Sequence, residues 1–157
     1  MRDTDIFQDL QGCLLPEWDS LPDFGLYMDQ LVTYVARSLP GLSGRLELTS
    51  HMINNYVKAG LIEKPVSKKY SRASLAQLLM ISLMKLTTPL DAMTTLLHPA
   101  DGTDTETIYS SFRKAQDRIV ARISEKGAQA PLVYALESSS LQLMLRLMLE
   151  EDDAEKN

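Results

Sequence analysis

Apolar residues recur every three or four positions along most of the chain, which is the spacing of amphipathic helices. Neither an internal repeat nor a clear strand pattern appears. The pattern therefore predicts an all-α fold. The helices are expected near residues 6–10, 26–39, 50–59, 71–84, 90–97, 104–126 and 131–150.

Local signals mark the ends of several of these helices. Thr49, Ser71 and Asp104 each stand where a helix begins, and their side chains can cap its free amides. Gly60 suits the left-handed position that follows a helix, and Gly127 ends the long helix near the C-terminus. These signals predict a short helix between Thr49 and Gly60.

Two helices are expected to bury more than one face. The helix after Ser71 has a wide apolar stripe, and the helix after Pro131 carries apolar residues around much of its circumference. The second pattern predicts contact with another subunit. The acidic tail from Glu150 to Glu155 is expected to be frayed and solvated.

Composition narrows the classes of function. The chain has 157 residues, which suits one domain, and its single cysteine excludes an internal disulfide. Only two histidines are present, so we expect no structural zinc site. The N-terminus lacks the features of a signal peptide, and no apolar segment has the roughly 18 residues of a membrane span. We therefore expect a cytoplasmic protein with no membrane partner.

The net charge of −5 by itself disfavours binding to nucleic acid, but the charges are unevenly distributed along the chain. Residues 45–85 contain seven basic and two acidic residues, a local charge of +5, while residues 1–44 and 86–157 each carry −5. A positive centre between negative ends suggests a binding site for a polyanion. The alternative is a chance cluster on a solvated surface.

The segment 49–72 carries the candidate chemistry. A short helix is followed by a compact turn rich in lysine and then by another capped helix. Ile53, Tyr56 and Val57 are expected to face inward. The residues expected on the outward face are Ser50, His51, Asn54, Asn55 and Lys58.

These outward residue types suit DNA. Asparagine can make a bidentate contact to adenine in the major groove, and lysine reaches guanine or phosphate. The helix N-terminus and the lysines of the turn can hold backbone phosphates, which fix the register without reading sequence. The predicted DNA-binding residues are Thr49, Ser50, Asn54, Asn55, Lys58, Lys64, Lys68, Lys69, Tyr70 and Arg72.

Several of these residues have ordinary structural interpretations. Tyr56 and Tyr70 equally suit core positions, because aromatic rings at the ends of elements usually fill gaps. Asn55 could bond to the loop after Gly60, and the two adjacent lysines could be solvated surface. His51 has no evident partner in the sequence.

Motifs of catalysis are missing from the sequence. It has no glycine-rich phosphate loop, paired-histidine motif, nucleophile elbow or Cys–His nucleophile pattern. We therefore expect no enzyme, no catalytic or metal-binding residue and no cofactor.

Residues 54–62, Pro65 and residues 68–72 resemble the DNA-binding head of MerR-type winged-helix regulators. In those proteins an Arg-Tyr-Tyr helix ends in Gly-Leu, and a basic wing and a helix capped after Tyr-Ser follow. Here Asn54-Asn55-Tyr56 replaces Arg-Tyr-Tyr, the wing is shortened to roughly residues 63–70, and no cysteine stands where metal sensors place ligands. The resemblance implies a MerR-like winged helix-turn-helix head with a C-terminal helical extension.

The span from about Leu21 to Leu97 resembles more closely a Firmicutes family, the domain of unknown function 1836, through residues 26–30, 49–62 and 68–71. This resemblance implies a fold but no activity. The expected organisation has four parts. They are an N-terminal arm (1–25), a winged-helix DNA-binding-like domain (26–98), a C-terminal helical dimerisation or effector region (104–150) and an acidic tail (151–157).

The favoured interpretation is a DNA-binding transcriptional regulator. It would bind double-stranded DNA as a homodimer that pairs through the C-terminal helices. A small-molecule effector pocket between those helices is a third possibility that is compatible with this interpretation, and the effector is unknown. The alternative is a protein–protein interaction module that uses the apolar N-terminal arm and the last helix.

Overall fold

A computed structural model describes the backbone of residues 3–155 and the side chains of residues 6–155. Over this range the chain is all-α, as predicted: it has seven α-helices, two short 3-10 helices and no β-strand. The α-helices are α1 (Asp3–Gln11), α2 (Met28–Ser38), α3 (Ser50–Lys58), α4 (Arg72–Met84), α5 (Leu90–Leu97), α6 (Thr105–Lys126) and α7 (Pro131–Glu155). The 3-10 helices are Trp18–Ser20 and Pro40–Leu42.

The cap residues chosen from the sequence are confirmed. The Thr49 hydroxyl accepts a hydrogen bond from the amide of Met52, and the Asp104 carboxylate accepts one from the amide of Thr107. Hydrogen bonds from Thr107 hold the pKa of Asp104 below its usual value. The helix starts were predictable because each depends on residues only three positions apart.

The helix α4 forms the centre of the fold, packed against α2, α5 and α6. Every residue from 74 to 82 is buried, which confirms the expectation that this helix is covered on more than one side. Leu75, Leu78 and Leu79 are fully buried. Burial of each such side chain stabilises the fold by roughly 1.5–3 kcal/mol relative to exposure.

Buried polar groups on α4 tie neighbouring segments to it. The side chain of Gln77 accepts a hydrogen bond from the amide of Glu63 at 3.0 Å and donates one to the Thr105 hydroxyl at 3.2 Å. The Ser82 hydroxyl donates to the carbonyl of Leu78. Because Gln77 bonds on both sides, it fixes the chain before α4 and the start of α6 relative to the core.

The N-terminal arm packs on the body of the domain. Leu15 and Leu21 are buried, and the Trp18 ring lies edge-on to Tyr109 with centroids 5.8 Å apart. The Tyr109 hydroxyl donates to the carbonyl of Pro16 at 2.8 Å. Burial raises the pKa of Tyr109.

The last helix, α7, has no buried residue. Gln142, Leu145 and Leu149 are half-buried on the side that faces α5, and the Gln142 amide donates to the Thr87 hydroxyl at 3.1 Å. The expected frayed tail was wrong for the described residues, because the helix continues through Glu155. Glutamate and alanine are good helix formers, and the exposed acids need no partner to stay solvated.

Candidate nucleic-acid interface

The helix α3 lies on the domain with a sharp division between its two sides. Ile53 is fully buried, and Tyr56 and Val57 are half-buried against the core. The residues of the opposite side, which we call the outer face of α3, are all exposed. They are Ser50, His51, Asn54, Asn55 and Lys58.

One hydrogen bond lies on the outer face of α3. The side-chain nitrogen Nδ2 of Asn55 lies 3.3 Å from Nε2 of His51, which is one helical turn earlier. His51 therefore has a partner, and Asn55 bonds along the helix rather than to the loop after Gly60. The contact orders the Asn55 side chain while leaving it at the surface.

Gly60, which the sequence predicted to end α3, lies just after the helix in the left-handed conformation. Gly60 has φ +74°, and its amide donates to the carbonyl of Val57, while the amide of Leu61 donates to the carbonyl of Tyr56. This pair of bonds is a Schellman motif. Leu61 and Ile62 are then buried, which anchors the chain as it leaves the helix.

Residues 63–70, which we call the basic turn, reverse the chain through a two-residue hairpin. Val66 and Lys69 exchange both backbone hydrogen bonds, at 2.9 and 3.0 Å. The two residues between them, Ser67 and Lys68, have φ of +51° and +65°. Positive φ at both central positions is the geometry of a type I′ turn, which usually contains asparagine or glycine.

The base of the basic turn is held by the core. Leu26 and Tyr70 exchange backbone hydrogen bonds of 3.0 and 2.8 Å, which join the turn to the segment before α2. At the other arm, the Glu63 carboxylate accepts from the hydroxyl of Ser71, the residue that caps α4. The turn is therefore attached at both arms, and its lysines extend from a fixed base.

Lys68 and Ser50 line one groove, between the basic turn and the start of α3. The first turns of α2 contribute most of the rest of the lining, including Asp29. The remaining lining residues are Tyr27, Met28, Val32, Thr33 and Leu48. The groove thus brings a lysine close to the N-terminus of a helix, beside one acidic side chain.

The neighbouring lysine has a different environment. The ammonium of Lys69 lies 5.3 Å from the centroid of the Tyr27 ring, and its methylenes lie beside Gly25. Gly25 has φ +78°, and a Cβ there would approach the Lys69 side chain to 3.1 Å. Lys69 is exposed but packed along its stem.

Two of the predicted contact residues are not free. Tyr70 is 4% exposed and belongs to the core, and its burial raises the pKa of its hydroxyl. The half-buried Arg72 lies 3.4 Å from the carboxylate of Asp23 and 5.6 Å from the Trp18 ring centroid. Both side chains are occupied by contacts to segments distant in sequence, so neither is offered to a ligand.

Some of the basic residues between positions 45 and 85 are occupied by contacts within the protein and are not available to a ligand. Arg45 pairs with Asp9 at 3.2 Å, and the half-buried Lys85 donates to the carbonyl of Glu47. Burial lowers the pKa of Lys85. Between residues 45 and 85, the basic residues that are exposed and form no ion pair with any described side chain are Lys58, Lys64, Lys68 and Lys69.

Residues 6–155 contain no group of three or more histidine, cysteine, aspartate or glutamate side chains placed to hold a metal ion. No helix in the described part of the chain is both long and apolar enough to span a membrane.

Comparison with known proteins identifies the family. The sequence model of the domain of unknown function DUF1836 matches residues 16–114, which include α2 to α5, the basic turn and the start of α6. The chain belongs to this family. No curated protein and no solved structure matches the chain.

The family match extends beyond the 21–97 span recognised from the sequence. It takes in Trp18 and Tyr109, whose rings join the N-terminal arm to α6. α7 lies outside the matched region.

Proposed function

We propose that this DUF1836 protein is a DNA-binding transcriptional regulator with a MerR-like winged helix-turn-helix head. α3 enters the major groove, and the basic turn neutralises the phosphates beside it. One observation carries the proposal: the outer face of α3 is wholly exposed and polar, beside lysines that have no carboxylate partner. Such a function belongs in the cytoplasm and requires neither catalysis nor a cofactor.

The dimensions of α3 suit a groove. An α-helix with its side chains is roughly 10–12 Å across, which the roughly 12 Å width of the major groove admits, and the nine residues of α3 give it a length of about 13 Å. Asn54 and Lys58 stand one turn apart on the same line of the helix, so Lys58 would reach guanine or a phosphate beside the base pair that Asn54 contacts. All five residues of the outer face are exposed and accessible to DNA.

The groove between Lys68 and Ser50 supports a phosphate contact. Free amides at the start of α3 and the ammonium of Lys68 both favour an anion there. Asp29 lines the same groove and opposes that attraction. The net attraction of this groove for a phosphate is therefore modest, so the head requires several phosphate contacts for affinity.

The proposal is tested by equilibrium binding to a pool of short duplexes, followed by fluorescence anisotropy at low salt. We expect the double change Lys68→Glu and Lys69→Glu to abolish binding, because it replaces two phosphate contacts with two repulsions. The matched control is Arg37→Glu with Arg146→Glu, an identical change in net charge on exposed residues of α2 and α7. Equal loss in both double variants, or no binding by the unaltered protein, would contradict the proposal.

Sequence reading is tested separately with Asn54→Ala. Loss of a bidentate base contact removes about 1–3 kcal/mol of discrimination. We expect weaker binding to sequences selected from a random pool and unchanged binding to unselected duplexes. An equal effect on both would assign Asn54 to phosphate binding or to structure.

The exposed apolar surface of α7 favours a second candidate, a protein–protein interaction module. The N-terminal arm contributes less to it, since Leu15 and Leu21 are buried inside the domain. This candidate predicts that the Lys68/Lys69 reversal leaves the activity of the protein unchanged. Isolation of the functional protein with no DNA bound to it would favour the interaction module over the DNA-binding regulator.

A further inference from the structure

The helix α7 exposes more large apolar side chains than the rest of the described chain. Nine of the sixteen exposed large hydrophobic residues lie on this one helix. They are Leu132, Val133, Tyr134, Leu136, Leu141, Leu143, Met144, Leu147 and Met148. A continuous apolar surface of this kind usually marks an interaction site.

The side of α7 that points away from α5 carries a regular seam. Its positions are separated by three, four, four and three residues, so they share one face at 100° per residue. The four apolar members of the seam are between 38% and 67% exposed. The seam, in chain order, is Val133, Leu136, Ser140, Met144 and Leu147.

The spacing of the seam is symmetric about Ser140. In an antiparallel pair of identical helices crossing at this residue, Val133 of each copy lies opposite Leu147 of the other, and Leu136 lies opposite Met144. Each apolar residue then meets an apolar residue, and the small serine lies at the two-fold axis. Such a contact is isologous and closes after two copies.

Charge selects the antiparallel orientation. The C-terminal end of α7 carries Glu150, Glu151, Asp152 and Glu155, and its last turn has no basic residue. A parallel pair would place these carboxylates side by side, where like charges repel. An antiparallel pair separates them and brings each acidic end to the N-terminal end of the partner's α7, where the helix dipole favours negative charge.

A complementary surface lies at that end of the molecule. α6 carries basic residues at every fourth position, all exposed, and none of them forms an ion pair with a described side chain. They are Lys114, Arg118, Arg122 and Lys126. α6 ends four residues before α7 begins, so its last turns adjoin the N-terminal end of α7.

We propose that a second copy of this chain occupies the seam of α7. The two α7 helices pair antiparallel about Ser140, and the acidic end of each contacts the Arg122–Lys126 end of the partner's α6. The geometry does not depend on DNA, and the dimer forms in its absence. It brings together two heads related by a two-fold axis.

Sedimentation equilibrium of the full chain tests the pairing. We expect a species of twice the 17.6 kDa chain mass, and we expect Leu136→Glu or Leu147→Glu to raise the dimer dissociation constant on the order of 100-fold. The matched control is Leu141→Glu, the same change on the same exposed helix but off the seam. All three sites are exposed in the single chain, so folding should be unchanged by circular dichroism.

Disulfide cross-linking tests the orientation in a Cys13→Ser background, which removes the single native cysteine. Differently tagged Val133→Cys and Leu147→Cys chains are mixed and oxidised. We expect the mixed disulfide to form in preference to either homodimer. Preferential homodimers of Val133→Cys would indicate a parallel pair and overturn the proposal.

Charge reversal tests the contact with α6. Arg122→Glu with Lys126→Glu should weaken the dimer about tenfold, because each ion pair occurs twice. Adding Glu151→Lys and Glu155→Lys to the same chain should restore most of the loss. A monomeric unaltered chain, including one whose α7 binds only a different protein, would overturn the proposal, as would a dimer that survives both seam changes.

Discussion

At the scale of single residues, the partners of each charge decide which charges remain for a ligand. Lys68 and Arg72 lie four positions apart, yet Lys68 lies in an open groove while Arg72 is paired with Asp23 and covers Trp18. Asp23 and Trp18 are brought there by the fold of the N-terminal arm. The sequence shows which residues are charged, but the tertiary contacts determine which of those residues can bind a ligand.

Asp29 provides a direct probe of the groove beside α3. Asp29 lines the groove with Lys68, so Asp29→Asn removes a negative charge that would repel a bound phosphate. We expect duplex binding to tighten about two- to fivefold, with α2 destabilised by about 0.3–1 kcal/mol because Asp29 also lies in its first turn. Anisotropy and thermal unfolding measure the two effects, and unchanged or weaker DNA binding would indicate that phosphate does not enter this groove.

At the scale of elements, much of the candidate site could be predicted from short-range signals. The Thr49 cap and the Gly60 stop define α3, and the apolar positions between them assign its inner and outer faces. Each of these signals acts within one or two helical turns. That range explains why the bounds of α3 and of α5 were predicted to within one residue.

The basic turn shows where short-range signals fail. Ser67 and Lys68 adopt positive φ although neither is glycine or asparagine, so the sequence does not predict a type I′ hairpin. Its conformation is imposed by the exchange of bonds between Leu26 and Tyr70 and by the anchoring of Glu63 to α4. The burial of Tyr70 follows from the same long-range contacts.

The number of available lysines makes the basic turn and α3 testable as a unit. Four lysines without ion-pair partners should neutralise about four phosphates, which gives a slope of roughly −3.6 for log affinity against log salt, per head. Lys58→Gln should lower the magnitude of this slope by about one. The measurement is a salt series with one duplex, and a slope near zero would contradict phosphate neutralisation by these residues.

At the scale of the whole molecule, an acidic protein presents separate surfaces of opposite charge. The lysines of α3 and the basic turn form one positive region, the exposed bases of α6 form another, and the end of α7 is negative. The net charge of −5 therefore describes the sum and not the surface that a duplex would meet. The proposed antiparallel pair uses the second positive region and leaves the first one free.

The full extent of α7 also could not be deduced from local pattern. Its acidic end gives no apolar period, so the sequence suggested fraying, whereas the helix continues through Glu155. Its apolar residues indicated burial on more than one face, whereas α5 covers a single side. Periodicity reports which residues can be buried, but only the assembled structure shows which of them are.

The central claim is that α3 and the basic turn form the surface that binds DNA. Its most direct test is a titration of the isotopically labelled full chain with a short duplex, followed through backbone amide chemical shifts. We expect the largest shift changes within residues 49–58 and 63–70, together with the first turn of α2. Changes confined to α6 or α7, or none at a duplex concentration that saturates binding by anisotropy, would contradict it.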